Sequence, residues 1–248
     1  MFPRLGVKRS KSGWLHKVNK MIFGGFEKLT LMDYPGKVAC VVYTIGCNMR
    51  CPYCHNPELV DETVETRYTE KKILDFLQKR KGMLEGIVIT GGEPTLHEDL
   101  LPFMKKVKAL GFSVKLDSNG THPEVIRKAI NEGVVDYIAM DIKSPLSSYS
   151  RTVARPVNIR AIRKSMDIIM TSPIEYEFRT TVIKALLSPE DIREIGVEIR
   201  GAKKYFLQKF IPTKLLNPQF RKKVSYSDEE FEGFQVLLAH YVQYCGIR

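Results

Sequence analysis

A chain of 248 residues that is 44% hydrophobic and 27% charged has the makeup of a folded globular protein, which excludes a disordered or fibrous one. Its net charge of +11 is uneven: Arg4, Lys8, Arg9, Lys11, Lys17 and Lys20 face no acid in residues 1–20, whereas the rest of the chain sets 33 basic against 28 acidic residues. No apolar run approaches the roughly 20 residues of a membrane span, and the opening residues lack the apolar stretch of a secretory signal. The expected location is therefore the cytoplasm, without a membrane partner. Residues 1–20 read as a basic arm and 21–248 as one domain with a C-terminal helix. A solvated terminus explains the arm more simply than nucleic-acid binding. Its removal is expected to leave catalysis nearly unchanged.

From residue 37 onward, short apolar runs alternate with helical patterns. The expected strands are Lys37–Thr44, Gly86–Thr90, Ser113–Asp117, Asp136–Met140, Tyr176–Ile183 and Lys204–Phe210, rich in Val, Ile and aromatics. Thr69 caps a helix carrying Ile73, Leu74 and Leu77. Thr121 and Glu124 have capping-box spacing. Asn158 starts a helix with Ile159, Ile162, Met166 and Ile169. Ser188-Pro189 opens another, with Ile192, Ile195 and Ile199. Ser227 and Glu230 open a last helix with Phe231, Phe234, Leu237, Leu238, Tyr241 and Val242 on one face. This alternation predicts an α/β fold: a partial (β/α)6 barrel of parallel strands with helices outside, or else a doubly wound sheet. Either form binds ligands at the carboxyl ends of its strands.

The polar clusters fall at those ends. Cys47, Cys51 and Cys54 follow the first strand, Gly91-Gly92-Glu93-Pro94 the second, Asp117-Ser118-Asn119-Gly120 the third and Asp141-Ile142-Lys143 the fourth. Arg179 lies within the fifth and Gln208 near the end of the sixth. Polar strand ends are common, but they do not explain so many charged and glycine-rich clusters at one mouth. Three thiolates in eight residues point to an iron–sulfur cluster or zinc. A structural zinc needs a fourth protein ligand, for which His55, Cys40 and Cys245 are the candidates. A cubane held by three thiolates instead leaves one iron open.

Cys47-x-x-x-Cys51-x-x-Cys54 with Tyr53 before the last cysteine resembles the signature of the radical S-adenosylmethionine (SAM) superfamily. The stretch Thr30-Leu31-Met32-Asp33-Tyr34-Pro35-Gly36-Lys37, followed by Gly46 to Pro57, is similar to the activating enzymes of glycyl-radical proteins. Within that group the likeness is greatest to activating proteins of anaerobic ribonucleoside-triphosphate reductase, over about residues 22–212. The resemblance implies one [4Fe–4S] cluster on Cys47, Cys51 and Cys54. It implies SAM bound through its amino and carboxylate groups at the open iron, cleaved reductively to a 5′-deoxyadenosyl radical. It also implies a glycyl-radical enzyme as protein substrate and a flavodoxin- or ferredoxin-type electron donor.

By the same resemblance, Gly91 and Gly92 offer carbonyls to the methionine ammonium and Glu93 holds its charge. Lys143 and Arg179 contact the cofactor, and Ser118 and Asn119 approach the ribose. Tyr53 meets adenine partly through its backbone, so its phenol is dispensable for that contact. Asp117 and Asp141 are implied to form a Na⁺ or K⁺ site, with two solvated acids as the plainer reading. After Phe210 the chain lacks the histidine-rich ending of pyruvate formate-lyase activating enzyme, which leans away from that partner. Two other functions stay open: a radical SAM enzyme acting on a small molecule such as a deazapurine precursor, and a zinc-stabilised binding module.

Overall fold

Strand residues alternate between two environments, and that alternation builds the molecule. The computed structural model describes residues 21–248; the expected basic arm, 1–20, lies outside the described residues. Nine strands form one sheet: β1 (Ile22–Thr30), β2 (Ala39–Thr44), β3 (Tyr68–Thr69), β4 (Gly86–Gly91), β5 (Ser113–Ser118), β6 (Tyr137–Asp141), β7 (Glu175–Val182), β8 (Tyr205–Lys209) and β9 (Cys245–Ile247). Their order is β3-β1-β2-β4-β5-β6-β7-β8-β9. From β2 to β9 every neighbouring pair is parallel, whereas β1 is antiparallel to both β2 and β3. The edges β3 and β9 do not pair with each other, so the barrel is partial.

The helices are α1 (Pro57–Val60), α2 (Glu70–Lys79), α3 (Leu100–Ala109), α4 (Pro123–Asn131), α5 (Tyr149–Thr152), α6 (Ile159–Met170), α7 (Pro189–Glu198) and α8 (Asp228–Leu238). Their apolar faces, such as Ile73 and Leu77 of α2 and Ile162, Met166 and Ile169 of α6, join strand residues of one parity, Cys40, Val42, Ile87 and Ile89 among them. The opposite parity faces inward. Ala39, Val41, Val88 and Tyr137 meet there with Tyr34 in a separate apolar cluster. Beyond it the inward positions turn polar, which sets the site.

The six expected strands recur as β2 and β4 to β8. Thr69, Asn158, Ser188 and Ser227 cap their helices through side-chain oxygens, the last two in full capping boxes. Three expectations are corrected. The Thr121–Glu124 box does not form: His122 is the N-cap of α4 without a side-chain bond, because the Thr121 hydroxyl donates to Asn119 and Glu124 pairs with Lys164. The last helix stops at Leu238, leaving Tyr241 and Val242 beyond it. The chain then ends on β9, parallel to β8, and not on a helix.

Candidate active site

The loop after β2 is held from several sides. Gly46 turns it with φ +89°, and the Arg50 N–H donates to the Val153 carbonyl at 3.0 Å. The Cys54 N–H closes a tight turn onto the Cys51 carbonyl at 2.9 Å. A strap after β8 lies across it: Leu216 N–H donates to the Cys54 carbonyl and Asn217 N–H to the Pro52 carbonyl, each at 2.9 Å. Cys47, Cys51 and Cys54 thereby line one cavity of about 430 Å³, a volume suited to a small cofactor. All three are free thiols. Burial pushes the Cys47 thiol up to about 12 and also raises those of Cys51 and Cys54, while the Lys143 ammonium acts against burial at all three.

The same cavity gathers Tyr53, Gly91, Gly92, Glu93, Asp117, Ser118, Asn119, Asp141, Lys143 and Arg179, all the residues expected to meet SAM or a cation. The glycines meet protein backbone. A Cβ on Gly92 would stand 1.9 Å from the Gly46 oxygen, and one on Gly91 2.3 Å from the Thr44 nitrogen. Gly92 N–H donates to the Thr44 carbonyl at 2.9 Å and Glu93 N–H to the Gly46 carbonyl at 2.8 Å, which ties the end of β4 to the cysteine loop. The Glu93 carboxylate is 1% exposed. It accepts from Thr95 N–H and hydroxyl, from Ser118 Oγ at 2.8 Å and from Asn119 N–H at 2.7 Å. Burial raises its pKa against those bonds, and none of its hydrogen-bond partners is a cation. Asn119 reaches back through Nδ2 to Asn48 Oδ1 at 2.8 Å.

Across the mouth runs a chain of alternating charges. Lys115 pairs with Asp117. Arg179 Nη1 meets Asp117 Oδ2 at 3.1 Å, and its Nε meets Asp141 Oδ1 at 2.9 Å. Lys143 Nζ meets Asp141 Oδ2 at 2.9 Å. The register that sets Asp141 beside Arg179 on adjacent strands creates the central link. Burial opposes ionisation of Asp117 and Asp141, but Arg179 with Lys115 and Lys143 outweighs it and holds both carboxyls below the ordinary carboxylate range. All four carboxylate oxygens thus have a cationic partner.

Three participants escaped the sequence reading. Lys115 is 1% exposed in a strand of otherwise ordinary pattern, and its spacing of two from Asp117 was the available signal. Asp33 lines the cavity from the turn before β2. Tyr149 lies beneath Asp141, donating to its carbonyl at 3.2 Å.

The donor set fits a multi-iron cluster better than zinc. His55 Nε2 lies 3.0 Å from the Ile211 carbonyl oxygen, Cys40 is buried on the helix side of β2, and Cys245 sits on β9, at the far edge of the sheet. Among the described residues no group of three or more His, Cys, Asp or Glu is placed round a single metal ion. No helix among them is long and apolar enough to cross a membrane.

Comparison with known proteins agrees. Residues 41–195 match the model of the radical SAM superfamily. A Methanocaldococcus jannaschii protein provisionally named a glycyl-radical enzyme activating enzyme is 33% identical over 239 residues, 92% of this chain and 96% of that protein. The pyruvate formate-lyase-activating enzyme of Listeria monocytogenes is 33% identical over 127 residues, 47% of this chain and 51% of its own. Streptococcus suis SuiB, solved with S-adenosylmethionine bound, shares the fold with a TM-score of 0.62 at 14% identity, covering 84% of this chain and 49% of SuiB. The superfamily works with a [4Fe–4S] cluster and SAM. The chain belongs to the radical SAM superfamily and, within it, to the enzymes that activate glycyl-radical proteins.

Proposed function

We propose that Cys47, Cys51 and Cys54 ligate three irons of one [4Fe–4S] cluster, and that the enzyme installs a glycyl radical on a partner protein, anaerobic ribonucleotide reductase in our reading. The observation that carries this is three thiols opening into one cavity whose walls hold a buried carboxylate with no cation among its hydrogen-bond partners, and cations held in place by Asp117 and Asp141. With both bound, the cluster and SAM would supply one-electron reductive cleavage of the sulfonium, fed by a flavodoxin- or ferredoxin-type donor, and with it the power to take hydrogen from a glycine Cα.

The protein's part is placement. Glu93, bonded to no cation, receives the methionine ammonium together with the carbonyls of Gly91 and Gly92. Arg179 and Lys143, fixed by Asp117 and Asp141, present donors to the methionine carboxylate. Ser118 and Asn119 shape the ribose side with side chains already tied to Glu93 and Asn48. Tyr53 meets adenine through its backbone. No Na⁺ or K⁺ enters this reading, because Lys115 supplies the counter-charge at Asp117. The barrel's open mouth leaves room for a partner's glycine-bearing loop. The named partner rests on the likeness of the Thr30–Lys37 and Gly46–Pro57 segments.

The test is anaerobic reconstitution with iron and sulfide, then reduction with SAM present. The expected result is 5′-deoxyadenosine from the wild type and none from Cys51→Ala, with a glycyl-radical signal when anaerobic ribonucleotide reductase is added. A colourless, zinc-binding protein without product would refute the cluster. Consumption of a small substrate with no protein partner would refute the activase.

A further inference from the structure

His122 begins α4, yet its half-buried ring caps nothing in that helix. The ring turns instead to two threonines at the edge of the site. Its Nδ1 lies 3.2 Å from Thr95 Oγ1 and 3.1 Å from Thr121 Oγ1. A ring nitrogen between two hydroxyls either accepts from one of them or donates to them, according to the tautomer. The neighbouring bonds decide which.

Thr121 N–H donates to Asn119 Oδ1 at 3.1 Å, and a backbone N–H can only donate, so the Asn119 amide has one orientation. Asn119 Nδ2 then donates to Asn48 Oδ1 at 2.8 Å, which turns Asn48 Nδ2 toward Thr121 Oγ1, also at 2.8 Å. The Thr121 hydroxyl accepts that bond and gives its own proton to Asn119 Oδ1 at 2.7 Å. Three side chains thus close a ring of bonds that all run the same way, an arrangement in which each bond strengthens the next. The Thr95 hydroxyl is committed as well, donating to Glu93 Oε1. A hydroxyl has one proton to give, so neither threonine has one for His122. The proton therefore sits on Nδ1, and the ring donates toward both oxygens.

We propose that His122 is a positioning residue for SAM: its Nδ1–H ties Thr95, which orients Glu93, to Thr121, which orients Asn119 and Asn48. This rests on the reading that Glu93 meets the methionine ammonium and Asn119 the ribose. The ring joins the end of β4, the end of β5 and the cysteine loop through Asn48, so the groups that receive both ends of the cofactor are set before it arrives. His122 acts only through the two threonines.

The test has two parts. In the full-length chain labelled with ¹⁵N-histidine, the His122 signal, identified by its loss in His122→Asn, is expected at alkaline pH to show a protonated Nδ1 and a bare Nε2. The opposite tautomer overturns the proposal. SAM affinity is then measured by equilibrium dialysis of the anaerobically reconstituted, unreduced enzyme. His122→Leu, which has no donor, is expected to bind SAM about tenfold more weakly with unchanged iron content. His122→Asn offers an amide N–H near the place of Nδ1 and is expected within about twofold of wild type. Unchanged affinity in His122→Leu overturns the proposal, as does an equal loss in both variants, which would make the ring a packing element only. Should His122→Leu not fold, His122→Gln, whose amide reaches past the Nδ1 position, replaces it and must show the same loss. A wild type that binds no SAM would overturn the reading of the site and this role with it, whereas failure of the role alone leaves wild-type binding intact.

Discussion

Arg179 is the residue on which the mouth of the barrel turns, since its guanidinium bridges carboxylates from two strands, Asp117 of β5 and Asp141 of β6. Buried carboxylates in such a row are stable only as anions among cations, which fixes their pH behaviour. The folded-state pKa of Asp141 lies below its unfolded value of about 3.9. Its contribution is therefore complete above that value and is lost as pH falls toward and through the depressed one. Asp141→Asn should cost the apoprotein about 3 kcal/mol at pH 7. In urea titrations the gap from wild type should narrow as pH drops from 5 to 2; a gap that stays constant would mean Asp141 is not the anion described. The sequence disclosed this residue, with the cysteines, Glu93, Lys143 and Arg179, because chemistry-bearing types stood at strand ends. It hid Lys115, since a lysine among apolar strand residues announces neither its burial nor its partner. It also suggested that Gly91 and Gly92 serve a ligand, whereas the contact that requires their missing Cβ atoms is with Thr44 and Gly46.

At the level of elements, the junction of β4 with the cysteine loop is the most constrained point. Gly92 has backbone packed where a side chain would start, and backbone cannot rotate away as a side chain can. Gly92→Ala must push the loop outward. The expected cost is about 2–3 kcal/mol, with a lower iron content per chain after reconstitution. Gly111→Ala is the control: its φ is +92° but nothing lies within 4 Å of the added methyl, so it should cost about 1 kcal/mol and leave iron content unchanged. Equal iron loss in both variants would remove the loop-packing account. β2 and β4 to β8 were legible because most are short runs rich in Val, Ile and aromatics that alternate with helical patterns. β1 was not: Gly24 and Gly25 interrupt its pattern, and its burial follows no strict alternation. β9 is three residues long and carries no periodicity of its own; it exists because β8 offers it an edge.

For the whole molecule, the C-terminal strand does more than widen the sheet. Arg248 continues the β8–β9 ladder, its N–H donating to the Leu207 carbonyl at 2.9 Å. Its guanidinium crosses the Phe206 ring, 3.5 Å from the centroid, and grips Glu177 with two bonds of 2.8 and 2.9 Å. Glu177 is 1% exposed on the inward face of β7, with the Tyr137 hydroxyl donating to it at 3.0 Å. The barrel's interior therefore balances its acids from two directions, Arg179 and the lysines from the strands and Arg248 from the end of the chain. Arg248→Ala leaves a buried carboxylate with a hydroxyl alone. Loss of one partner from a fully buried pair costs about 3–5 kcal/mol. Because the Arg248 side chain is 38% exposed, water compensates in part and about 2 kcal/mol is expected. Adding Glu177→Gln removes the stranded charge and should recover about half of the loss in a double-mutant cycle. Additive losses would mean that Arg248 acts through its contact with Phe206, and the strand's role would then be packing and not charge balance.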